Sequence, residues 1–119
     1  MSWDASDPPG SPTAETSFTG LPRDMIDAAL DLADKRRTWV RYVYADAIQE
    51  LIDRLDRGEA VEWMASRPGT GRKPYHVRID VALMDRLRET CRKHSVRKSI
   101  LVLVALREHL NRNGYDFKP

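Results

Sequence analysis

Arg78 and His76 occupy alternate positions in Tyr75-His76-Val77-Arg78-Ile79, with three apolar residues interleaved. A period of two sends successive side chains to opposite faces of a strand. A guanidinium and an imidazole would then share one face, and Tyr75, Val77 and Ile79 the other. The chemistry open to such a face is binding, by hydrogen bonds and charge, to an anionic surface. Lys73, just before the strand, suits the same chemistry, as do the basic groups Lys35-Arg36-Arg37 and Arg97-Lys98-Ser99. Charge is polarised along the chain. Residues 1–63 carry 7 Lys+Arg and 13 Asp+Glu, a net of −6, while residues 64–119 carry 13 and 5, a net of +8. A polyanionic partner accounts for this asymmetry. Each basic cluster taken alone is equally well read as a solvated surface.

Catalytic chemistry finds little support. Cys91 and His94 stand three apart on a helical stretch, and His76 or His109 would have to complete a metal site with them. Zinc normally takes four well-spaced ligands, and these lie on different elements. Cys91 also continues the apolar stripe of Leu83 and Leu87, so core packing is the preferred reading. Residues 67–73 (RPGTGRK) lack the spacing of a phosphate-binding loop. No paired carboxylates and no nucleophile–base pair can be defended. A non-enzymatic protein without cofactor or metal is expected. One cysteine precludes an internal disulfide, which suits a reducing cytoplasm. No apolar run approaches the roughly 20 residues of a membrane span, and the N-terminus does not read as a secretory leader.

The elements that must position these residues follow from periodicity. With 41% hydrophobic and 32% charged residues, the chain has the balance of a folded protein. Residues 1–16, rich in Pro, Ser, Asp and Gly, read as a disordered arm. From Pro22, Met25, Ile26, Ala29, Leu30 and Ala33 recur at helical spacing. A second helix runs from about Trp39 to Asp56, with Gly58 as its stop. Residues 57–73 form a linker. After the strand, Asp80 suits the N-cap of a helix bearing Leu83, Met84, Leu87 and Cys91. His94-Ser95-Val96 breaks it, and a last helix runs from about Arg97 to Gly114, leaving a tail at 115–119.

That last helix is apolar nearly all round, through Ile100–Leu106 and Leu110, so it must be buried on most sides. A unit of about 40 residues cannot enclose it alone and needs a second copy of itself. A shift of 58 residues supplies one. Leu21 falls on Ile79, Met25 on Leu83, Val43 on Leu101 and Ala47 on Ala105, while Asp27, Glu50 and Arg54 fall on identical residues. The expected architecture is mainly α with a short β-ribbon, in which a segment near 16–21 pairs antiparallel with 74–79.

Strand, helix, short turn and buried helix, in that order, resemble the Arc/MetJ/CopG ribbon-helix-helix superfamily. Residues 75–110 carry the likeness most fully. His76-Val77-Arg78-Ile79-Asp80 is similar to the family's strand and first-helix start. Ser95-Val96-Arg97-Lys98-Ser99, before Ile100-Leu101-Val102, is similar to its inter-helix turn. Residues 17–56 resemble a diverged first repeat and 74–114 a second. The whole would then be a tandem pseudo-dimer in one chain, an architecture similar to that of the virulence accessory protein that binds near T-DNA borders.

The resemblance implies double-stranded DNA as partner, with the ribbon in the major groove. Pro74, His76 and Arg78 would face bases, Arg78 foremost because its planar fork matches guanine O6 and N7. In the first strand Thr16, Phe18 and Gly20 would face outward and Ser17, Thr19 and Leu21 inward. Phe18 would reach a thymine methyl, or else pack against a helix. Phosphate contacts would come from Lys73, from Arg97, Lys98 and Ser99 at the last helix N-terminus, and from Arg36, Arg37 and Arg41 in the first repeat. Arg97 stands where the family has a small N-cap residue, and Trp39 is its counterpart. The implied role is a transcriptional repressor or a plasmid transfer or partition accessory, working as one chain or as a homodimer of such chains. The alternative is a protein-interaction module such as an antitoxin, docking a partner through the N-terminal arm.

Overall fold

The computed structural model describes residues 12–63 and 74–117. In chain order these form β1 (Thr13–Phe18), α1 (Arg23–Arg36), α2 (Val40–Asp56), β2 (Tyr75–Asp80), α3 (Val81–His94) and α4 (Lys98–Arg112). The protein is mainly α, with β1 and β2 paired antiparallel as its one sheet among the described residues.

Local chemistry sets the helix ends. The Asp80 carboxylate accepts from the Ala82 N–H at 2.8 Å, capping α3 as its position anticipates. α1 stops at Arg37 and α3 at Ser95, both left-handed with φ 53. Beyond them the Thr38 N–H bonds the Ala33 carbonyl, and the Val96 N–H bonds that of Cys91, both at 3.0 Å. These bonds satisfy carbonyls that a helix end leaves open.

α4 lies at the centre, packed against α1, α2, α3 and β1. Leu101 through Leu106 and Leu110 are all buried, against Val43, Tyr44, Ala47, Ile48, Leu51 and Ile52 of α2. The enclosure that α4 requires is thus provided within one chain. Each large aliphatic side chain so buried contributes about 1.5–3 kcal/mol, which favours a helix that would be insoluble if exposed. Residues 115–117 also dock: Tyr115 donates its hydroxyl to Asp31, and Asn111 exchanges hydrogen bonds with the Phe117 backbone at 2.9 and 2.7 Å.

Adding 58 to the bounds of α1 gives those of α3, and adding it to the N-caps Pro22 and Trp39 gives Asp80 and Arg97. The left-handed residues Arg37 and Ser95 obey the same offset. The strands do not. Thr13 pairs with Asp80, Thr16 with Val77 and Phe18 with Tyr75, so β1 lies several residues earlier than the expected segment. Residues 13–16 therefore belong to the ribbon and not to an arm; residues 1–11 lie outside those described. β2 runs straight into α3, whereas Gly20, at φ 77, turns the chain between β1 and α1. A side chain at that φ is strained, which favours glycine.

This turn inverts the face expected for β1. Phe18 is only 1% exposed and Thr16 is buried, so both point into the core and away from the face expected to meet DNA. Ser17, expected inside, lies opposite the exposed His76. Leu21 is buried as expected, but from the connection and not from the strand.

Candidate nucleic-acid interface

The outer face of the ribbon carries Thr13, Glu15 and Ser17 of β1 directly opposite Asp80, Arg78 and His76 of β2. Two diagonal contacts tie the strands. Arg78 Nε donates to Thr13 Oγ1 at 3.2 Å, and its Nη2 to the Thr13 carbonyl at 3.3 Å. His76 Nδ1 lies 3.5 Å from Glu15 Oε1, with the two side chains 59% and 62% exposed. Bonds this long and this wet are weak, so a ligand can compete for all four groups.

The inner face packs the ribbon onto the helical core. Phe18, Tyr44 and Tyr75 stack in series, with ring centroids 6.2 and 5.3 Å apart. Tyr44, from α2, is fully buried, and burial, with the neighbouring Tyr75 phenol, pushes its hydroxyl far above the usual phenol range. Val77 and Ile79 complete this face, as the alternation in sequence requires.

A helix N-terminus lies by each end of the ribbon. At one end Lys98, the first residue of α4, donates to Thr16 Oγ1 at 3.1 Å and sits 5.7 Å over the Phe18 ring. At the other end Arg41 of α2 lies over the Tyr42 ring at 5.0 Å. There a cleft of about 110 Å³ is lined by Arg41, Tyr42, Thr13, Arg78 and Asp80. Neither Trp39 nor Arg97 caps its helix with its own side chain, so the first N–H groups of α2 and α4 get no oxygen from the N-cap residue's side chain. Such groups favour an anion, supported by the helix dipole.

The remaining expected contact residues are dispersed. Pro74 is exposed before β2, Arg97 is exposed and Ser99 half-buried at the start of α4, and Arg37 is exposed on the α1 turn. Lys73 lies outside the described residues. Arg36 is committed elsewhere: it contacts His109 Nε2 at 3.2 Å, donates to Asn113 Oδ1 at 2.8 Å and lies 3.8 Å from Asp46. An arginine only donates, so Nε2 of the buried His109 accepts and Nδ1 carries the proton toward Glu50, 3.0 Å away. Arg36 thus fastens α1 to α4. Glu15, Thr13 and Ser17 belong to the outer face although the alternation in β2 gives no sign of them. Nothing in Thr-Ala-Glu-Thr-Ser-Phe marks a strand face.

Cys91 is half-buried against the core, and burial pushes its thiol up despite Lys98 nearby. His76 is on the ribbon and His109 within the helices. Among the described residues no three His, Cys, Asp or Glu side chains are grouped to hold a metal ion, and no helix is long and apolar enough to cross a membrane. No protein-family model matches the chain, and no curated protein or solved structure matches it either.

Proposed function

We propose that the protein binds double-stranded DNA sequence-specifically, laying the outer face of the β1–β2 ribbon in the major groove. One observation carries the reading. An exposed antiparallel ribbon presents Arg78 and His76 outward, with the N-termini of α2 and α4 beside its two ends. The major groove admits a two-stranded ribbon, and its base edges offer a distinct donor and acceptor pattern. Arg78 is the principal base reader and His76 the second. Lys98, Arg97, Ser99 and Arg41 approach phosphates, and Arg37, exposed at the end of α1, is a further candidate. The matched helix bounds support a tandem ribbon-helix-helix pseudo-dimer, whose two strands come from one chain. The unequal strands favour an asymmetric DNA site. Repression of transcription, or accessory work in plasmid transfer or partition, fits such a binder, and a cytoplasmic location goes with it.

The test is selection from random duplex DNA. The parent protein enriches a motif, and Arg78→Ala loses preference at one base pair of it. Affinity falls steeply with salt, because each neutralised phosphate releases counterions. Failure to enrich any motif removes the proposal.

A second reading, an antitoxin-like interaction module, is favoured by the outer surface of α1, where the exposed Leu30 lies among Asp27, Asp31 and Asp34. Co-purification of a stoichiometric basic partner that is lost with Leu30→Ala would favour it over DNA recognition.

A further inference from the structure

Glu15 is directly opposite Arg78 in the ribbon register, on the same outer face. Directly opposite residues in an antiparallel pair stand about 5 Å apart, a separation that suits the two bases of one pair. Arg78 and Glu15 differ in what they accept. A guanidinium only donates, and its fork fits the adjacent O6 and N7 acceptors of guanine. A carboxylate only accepts, and in the major groove it needs an N–H₂ group, which cytosine presents at N4 and adenine at N6; opposite a guanine held by Arg78 the partner base is cytosine. Guanine and thymine present only acceptors there and would repel it.

We infer that Glu15 and Arg78 read one G·C base pair together, Arg78 on the guanine and Glu15 on the cytosine. The inference rests on the DNA-binding reading and adds a specificity residue to it. Glu15 works largely by exclusion. An acidic side chain on a face approaching a polyanion opposes binding everywhere except where a base amino group meets it. Its penalty therefore falls on wrong sequences and on random duplex. His76 lies 3.5 Å from the Glu15 carboxylate in a weak, exposed contact that DNA can displace. The reading also orients the protein, because reversing the pair to C·G sets guanine O6 against the carboxylate.

The experiment is a random-duplex selection with the parent, Arg78→Ala, Glu15→Gln and Glu15→Ala in parallel, each also titrated on the best site and its single substitutions. Both positions are exposed, so the variants keep the fold. The parent is expected to require G·C at one position, and Arg78→Ala to lose the guanine preference. Glu15→Gln, which both donates and accepts, relaxes the cytosine preference at that same pair by about tenfold. Glu15→Ala does the same and tightens binding to random duplex. An Arg78-dependent motif that both Glu15 variants leave unchanged, or change at a different base pair, overturns this inference alone. A parent that enriches no motif overturns the DNA-binding reading and this inference with it.

Discussion

Arg54 of α2 pairs with Glu108 of α4, and the same contact recurs with the helices exchanged, as Arg112 of α4 pairs with Glu50 of α2. Each residue of one pair lies 58 positions from its counterpart in the other. The two pairs clamp α2 and α4 where they cross, outside an apolar contact that has no directional preference of its own. The first pair is the more enclosed, at 24% and 26% side-chain exposure against 46% and 41%. A double-mutant cycle on Arg54→Ala and Glu108→Ala should give a coupling of about 1 kcal/mol, and one on Arg112→Ala and Glu50→Ala less than half that. Urea unfolding of the single and double variants measures both. Equal couplings would mean that enclosure does not set the strength.

Glu50 also sets an acid limit on stability. Burial pushes its carboxyl up, but hydrogen bonds from His109 and Arg112 outweigh this and hold it below the usual 4.5. A folded value below the unfolded one means stability that is complete above about pH 4.5 and is lost as pH falls through the lowered value. Asp31, held down by Tyr115 and Lys35, and Glu59, held down by Arg57 and Arg54, act in the same direction. Stability measured from about pH 6 to about pH 3 should decline at the acid end, and Glu50→Gln should flatten that decline. A variant with an unchanged acid profile would move the effect to other carboxylates.

Phe18 separates the two faces of β1. At 1% exposure, with Tyr44 stacked on it, Phe18→Ala should cost about 3–5 kcal/mol, as for other aromatic side chains removed from a core. Ser17→Ala, on the outer face next in sequence, should change stability by less than about 0.5 kcal/mol. Chemical denaturation of the two variants decides between this orientation and its inverse, which reverses their order.

β1 is also where the sequence is least legible. The helices declare themselves through long apolar periods, α4 through its all-round apolarity, α3 through Asp80, and β2 through Tyr75, Val77 and Ile79. β1 has one large apolar residue in Thr-Ala-Glu-Thr-Ser-Phe and takes its conformation from pairing with β2. The offset of 58 holds for both ends of α1 and α3 and for the starts of α2 and α4. It fails in the strand because the connection with Gly20 shifts the chain, and an odd shift exchanges the two faces. Of the candidate site, Arg78, His76, Lys98 and Arg41 are readable because charge beside an apolar pattern marks a surface. Glu15 is not, since its place depends on a partner more than sixty residues away. Arg36 escapes a reading from sequence for the same reason, its partners being His109 and Asn113.

Ser95 and Arg37 hold a left-handed backbone without being glycine. For an L side chain that conformation costs about 1 kcal/mol, and glycine is favoured at this position after a helix. Ser95→Gly should therefore raise stability by about 0.5–1 kcal/mol, or several degrees in Tm. Gly114→Ala, at φ 98 with open space where a Cβ would sit, should lower it by a similar amount through backbone strain alone. Thermal melts settle the matter: a Ser95→Gly variant that melts lower would show that the serine side chain holds the turn.

Tyr44 offers the opposite case, a buried hydroxyl that meets no partner in hydrogen-bonding geometry among the described residues. The Tyr75 phenol is near enough to raise its pKa, but the two groups do not form a well-aligned bond. The Tyr44 ring fills the space between Phe18 and Tyr75, while its hydroxyl has lost water and gained little in return. Removing a poorly paired buried donor avoids the desolvation cost of about 1–3 kcal/mol that it carries. Tyr44→Phe keeps the ring and should be neutral to stabilising, whereas Tyr44→Leu breaks the stack and should destabilise. Urea midpoints for both variants test this. A loss of more than about 1 kcal/mol in Tyr44→Phe would mean that the hydroxyl is bonded in solution and that the aromatic layer beneath the ribbon depends on it.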